Sequence, residues 1–187
     1  MATIKRIGFG QVEPNHLSAQ RTAQIYAQLP ANKDIAILEN GQFVKYDYAN
    51  GECNFTGAGE WMMVFNEIKL YDDFWRETYK DFALQAKNFT PGSDDITHNG
   101  VGPLKGQMVP RVFKINVGDH WTTNALGKAN TDGKSEVECG EFNVGDLVKV
   151  NAEGFVVAGE DADFQLQVVK VYTLADGQAA VKLMRVK

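Results

Sequence analysis

Residues 141–158 read EFNVGDLVKVNAEGFVVA, and this stretch decides the fold class. An apolar run closes at Val144, and Gly145-Asp146 reverses the chain. Leu147, Val148 and Val150 follow directly, Glu153-Gly154 turns the chain again, and Phe155, Val156 and Val157 resume. Strand, turn, strand, turn, strand is the pattern of a compact antiparallel β body. Glycine supplies the backbone freedom at such a corner, and the aspartate side chain can bond the backbone of its own turn.

The same tetrapeptide, NVGD, stands at 116–119 inside RVFKINVGDHWTTN. Its valine also ends an apolar run, so both copies read as corners between strands. From residue 110 onward, strands are expected at 111–117, 120–124, 135–142, 147–150, 154–158, 164–173 and 179–186. Turn residues join them, among them Asp132-Gly133 and Asp176-Gly177. Short strands at this spacing predict a mainly β fold, a small β-barrel or β-sandwich body.

Upstream the signals are more mixed. Residues 34–48, DIAILENGQFVKYDY, predict a hairpin turning at Asn40-Gly41, with a further turn at Asn50-Gly51. Residues 60–71 predict a strand. Residues 72–87 change period, with Phe74, Thr78, Phe82 and Ala86 four apart, and predict an amphipathic helix capped by Asp72 or Asp73. Residues 88–109 are rich in Gly and Pro and read as loop. At the N-terminus, residues 1–17 read as an extended arm, and 18–29 as a short helix with Ser18 as N-cap, closed by Pro30. The expected organisation is an arm with a short helix over 1–33 and a β-rich body over 34–187, with a helix and loop insertion at about 72–109.

Length and composition fit one globular domain with an arm: 187 residues, 44% hydrophobic, 23% charged, net charge -5. A net negative chain argues against nucleic acid as the main partner. The charge is uneven. Residues 1–33 carry Lys5, Arg6, Arg21 and Lys33 against Glu13, whereas 132–163 carry nine acids against Lys134 and Lys149. A basic leader and an acidic later face suit complementary partners, or each other across subunits. No apolar run approaches the roughly 18 residues of a membrane span, and MATIKRIGFGQVEP has no signal-peptide core. The expectation is a protein made in a reducing cytoplasm, with no membrane partner.

Sites of catalysis and metal binding are sparse in the pattern. His16, His98 and His120 form no metal-spacing pair, and Cys53 and Cys139 are too few for a zinc site, so neither metal nor cofactor is expected. Gly8-Phe9-Gly10 lacks the third glycine of a phosphate loop. Asp94-Asp95 with Asn99, and Glu160-Asp161 with Asp163, lack calcium-loop spacing and read as solvated loop acids. The aromatics of 61–82 are interleaved with more acids than bases, which suits a core or a protein interface rather than nucleic-acid stacking. Asp119, His120 and Asp146 are the residues an enzyme reading would use, but neither aspartate has a partner base in a motif.

Two stretches carry a resemblance. PRVFKINVGDHWTTN (110–124) resembles segments of tailed-bacteriophage head proteins. FQLQVVKVYTLADGQAAVKLMRVK (164–187), following NVGDLVKVNAEGFVVAG, resembles the closing strands of small β-rich phage capsid decoration proteins, with LENGQFVKYDY compatible with that setting. The resemblance covers about half the chain. It implies a non-enzymatic structural virion protein, a decoration or cement protein on the outer capsid surface, made in the host cytoplasm. The implied partners are the major capsid protein and further copies of the chain, trimers being common among such proteins. In this reading the arm residues Lys5, Arg6, Arg21 and Tyr26 contact the shell or a neighbouring copy. The reading from another class is a cytoplasmic SH3-like or OB-like module that binds a peptide or small ligand.

Overall fold

The computed structural model describes residues 2–21, 29–66, 83–85 and 108–187. These residues are mainly β, in several antiparallel sheets that do not close into one barrel. The largest sheet has six strands. They are β2 (Val12–His16), β9 (His120–Thr123), β11 (Leu147–Val150), β12 (Val156–Ala158), β13 (Leu166–Thr173) and β14 (Ala179–Arg185), in the order β12-β11-β13-β14-β9-β2. Every strand expected after residue 110 is present, 147–150 with the expected bounds and the others shorter at one end or both. The turn residues decide where the chain reverses, and they lie where the sequence puts them.

A four-stranded sheet, β5-β4-β6-β8, is built from β4 (Phe43–Asp47), β5 (Glu52–Asn54), β6 (Met62–Val64) and β8 (Val112–Lys114). Its period-2 alternation serves two cores at once. Phe43 and its cross-strand partner Met63 face the cluster holding Trp121, Leu166 and Leu183. Val44 and its partner Met62 face a second cluster with Ile35, Leu38 and Val112. A sheet buried on both faces reads as continuous apolar sequence, as FV and MMV do here. Phe43 meets the rings of Trp121 and Phe164 at centroid distances of 6.0 and 5.6 Å, which joins this sheet to the six-stranded one.

Three expectations are corrected. First, the strand β3 (Ile37–Glu39) does not pair across Asn40-Gly41 with β4; it pairs with β7 (Ala83–Gln85). The turn is present, but the Asn40 side chain is drawn into a reciprocal bond pair with the backbone of Asn66. Second, residues 83–85 are strand where a helix was expected; the rest of that helix, 72–82 and 86–87, lies outside the described residues, as does the loop up to 107. The strand expected at 60–71 is present as β6 in its described part, and residues 67–71 lie outside the described residues.

The third correction concerns the arm. Residues 2–16 are built into the body. The strand β1 (Ala2–Ile7) pairs along its length with β10 (Glu136–Phe142), and β2 forms the edge of the large sheet beside β9. Ile4 and Leu17 are buried in the main core. The short helix α1 (Ser18–Arg21) follows, and residues 22–28 lie outside the described residues. The basic leader and the acidic later stretch do meet, but within one chain: Lys5 on β1 pairs with Glu136 of β10 at 2.9 Å.

Candidate functional site

The two NVGD corners are the same structure twice. In each, the aspartate carboxylate accepts from the backbone N–H of the asparagine three residues earlier: Asn116 to Asp119 at 2.8 Å, Asn143 to Asp146 at 2.7 Å. In each, the glycine has positive φ, 90° at Gly118 and 96° at Gly145, as the third position of a type II turn requires. In each, the glycine N–H and the aspartate C=O clasp one residue of a neighbouring strand. Gly118 and Asp119 hold Arg185 of β14, and Gly145 and Asp146 hold Val168 of β13.

The equivalence extends into the sheet. Leu147 faces Gln167 as His120 faces Met184, and Val148 faces Leu166 as Trp121 faces Leu183. The outer strands follow: Ala158 lies beside Val148 as Pro14 lies beside Trp121. A local pseudo-dyad therefore passes through the Gln167–Met184 pair at the centre of the sheet. The inner positions it relates are all core: Val148 and Trp121, Leu166 and Leu183, are each 0% exposed. The related outer positions form a cross-strand row of Leu147, Gln167, Met184, His120 and His16. The valines at the corner tips stand out in solvent, Val117 at 65% and Val144 at 64% exposure.

A second feature is a cleft of about 710 Å³ floored by Ile35, Ile37, Phe55 and Phe155. Its rim carries Asp34, Asp47, Glu52 and Glu153, and among the described residues no lysine or arginine lines it. The Asn50 side chain and backbone hold the Asp47 carboxyl below its ordinary range, while Asn32 and Asn54 amides fix Glu52. These residues come from the segment before β3, the β4–β5 hairpin, the loop near 130 and the β11–β12 turn. Sequence reasoning missed this cleft. Its acids are far apart in the chain, and only their turns (Asn50-Gly51, Glu153-Gly154) were visible.

The expected contact residues separate. Lys5 is on the surface, half exposed and paired with Glu136 and, at 3.9 Å, Glu138. Arg6 is withdrawn from that set. It is 0% exposed and forks onto Glu39, itself 0% exposed, while its second terminal nitrogen also donates to the Lys128 carbonyl at 2.7 Å. Arg21 lies in α1, and Tyr26 lies outside the described residues.

Residues considered for chemistry also resolve into structure. Asp119 is buried, with one oxygen accepting from the Ser18 N–H and hydroxyl and the other from Asn116, so it ties α1 to the first corner. His16 and His120 stack across β2 and β9 with centroids 5.5 Å apart. The Gly10 N–H donates to Glu39, a structural use of the Gly-Phe-Gly stretch. Asp161 accepts the N–H groups of Asp163 and Phe164, closing its own loop. Cys53 and Cys139 are both free and buried; burial pushes the Cys53 thiol up to about 12 and the Cys139 thiol upward as well. Among the described residues no group of three or more His, Cys, Asp or Glu side chains is placed to hold a metal ion. His98 and the acids at 94–95 lie outside the described residues.

Comparison with protein-family models, with curated proteins and with solved structures returns no match.

Proposed function

We propose that this chain is a non-enzymatic structural virion protein, a decoration protein that binds the outer surface of a phage head and stabilises the shell. The sequence resemblance in 110–124 and 164–187 motivates the reading. The observation that carries it is the pseudo-dyadic face of the six-stranded sheet, with its two equivalent valine-tipped corners. Each corner is fastened to a central strand, so the two tips are held at a fixed spacing. A shell lattice offers the same surface element many times over, and a binder gains avidity by engaging two copies at once, however weak each contact. Presenting the contacts from a paired sheet keeps the ordering cost of association low. The body then serves as a β-sandwich-like clamp, with the major capsid protein as partner and the capsid exterior as location.

The test is co-sedimentation of the purified protein with mature capsids, read as copies bound per shell subunit. Saturable binding in a fixed ratio to the lattice is expected. Val117→Asp and Val144→Asp should each weaken it, and the double variant should abolish it while circular dichroism stays unchanged. Absence of binding by a folded protein would overturn the reading.

A further inference from the structure

We infer that the cleft between the β4–β5 hairpin and the β11–β12 turn is a docking site for a basic peptide segment, one that carries at least two lysine or arginine side chains. The inference goes beyond shell binding and stands whether or not that reading holds.

The floor comes first. Phe55 and Phe155, with Ile35 and Ile37, line a groove of about 710 Å³, within the size range of ligand pockets and large enough for several side chains. An apolar floor alone does not identify its occupant. The rim does. Asp34, Asp47, Glu52 and Glu153 stand around it, no basic residue among the described ones lines it, and none of these four carboxylates is in an ion pair with another described residue. The chain forms such pairs elsewhere, at Lys5–Glu136 and Lys114–Glu60, so the rim is a site where the fold supplies anions and leaves the cations to something else.

An apolar ligand seated here would strip water from those carboxylates without replacing it, which costs free energy. A lysine or arginine meets both demands. Its methylene stem lies on the half-buried Phe55 and Ile37 and its charged head reaches the rim. An arginine can also stack over a phenylalanine ring; the half-buried Phe55 is the ring within reach, since Phe155 is fully buried beneath Arg6 at 5.7 Å. Four carboxylates distributed around the opening call for more than one cation. A peptide segment supplies several at side-chain spacing, together with a backbone to fill the length of the groove.

The experiment is fluorescence anisotropy of a labelled hexapeptide, Gly-Lys-Arg-Lys-Arg-Gly, titrated with the full chain at low salt, with the Glu-substituted hexapeptide as its counterpart. Saturable binding of the basic peptide alone is expected. Asp34→Asn with Glu153→Gln should weaken it at least tenfold; both residues are exposed, so the fold is undisturbed. Glu138→Gln, on the acidic face of β10 away from the cleft, should leave it unchanged. Three outcomes would overturn the inference. The first is equal binding of both peptides. The second is equal loss in the Glu138 variant, which would mean diffuse attraction to an acidic protein. The third is full displacement by spermidine at the peptide's own concentration, which would make the cleft a site for free amines.

Discussion

At the scale of single residues, the Arg6–Glu39 pair ties together parts of the molecule that lie far apart in sequence. Glu39 sits at the end of β3 with no exposure, and its two oxygens take the Arg6 fork, the Gly10 N–H at 2.6 Å and the Asn130 N–H at 2.6 Å. One carboxylate thus holds β1, the β1–β2 link and the loop before β10 together. Burying two charges is tolerable only when their hydrogen bonds are met, and removing one partner leaves the other uncompensated. Glu39→Gln is therefore expected to cost about 3–5 kcal/mol, read from the urea midpoint, and the double change Arg6→Met with Glu39→Met should cost less than the single one. A single-variant loss below about 1 kcal/mol, the scale of a surface pair, would show that the pair is not a clamp. Nothing local in the sequence announces this contact. Arginine is exposed in most proteins, and the partner that buries Arg6 lies far along the chain, so an arginine in a basic leader reads as surface.

Among the elements, the corners were legible and the long-range pairings were not. Gly-Asp after an apolar run specifies its own turn, because the glycine takes positive φ and the aspartate closes the loop within four residues. Every strand after 110 inherits its position from such turns. The mispaired β3 and the misread 83–85 show the opposite case. Strand partners are chosen by packing with distant chain, and Asn40-Gly41 turns without making a hairpin because its flanking strands go to different sheets. The pseudo-dyad left a single trace in the sequence, the repeated NVGD, since only the turn needs particular residues; LVKV and HWTT occupy equivalent strands with little in common. The equivalence predicts matched energetics. A Cβ at Gly118 or Gly145 meets nothing within 4 Å, so alanine there feels only the left-handed backbone, about 1–2 kcal/mol at each. At Gly154 a Cβ would lie 2.1 Å from the Phe43 carbonyl oxygen. Gly154→Ala should thus lower the thermal midpoint well beyond either corner variant. Unequal losses at Gly118 and Gly145 would show that the two corners are not equivalent in energy.

For the molecule as a whole, the question is whether the N-terminal residues form a detachable arm or a structural part. A detachable arm can be deleted and leave a folded body; that was the natural reading of a leader with Gly8, Gly10 and Pro14 and no periodicity. The structure weaves these residues into three places. β1 covers one side of β10, β2 completes the edge of the six-stranded sheet, and Ile4 and Leu17 fill the main core. At the other end of the sequence, β14 is the inner strand between β13 and β9. Both ends of the chain are thus tied to distant partners, β1 to β10 and β2 to β9 at one end and β14 to β9 at the other, and pairings between residues far apart in sequence make folding slow. Deleting residues 1–16 removes the partner of β10, uncovers the edge of β9, and leaves Glu39 buried without its arginine. The truncated chain is expected to lose its cooperative urea transition and to bind a hydrophobic dye in native buffer, as a chain that keeps its strands without fixed packing does. If it instead unfolds at the full chain's midpoint with the full chain's slope, the first two strands are attachments, and contact with a shell or partner through a free leader becomes the better account of Lys5.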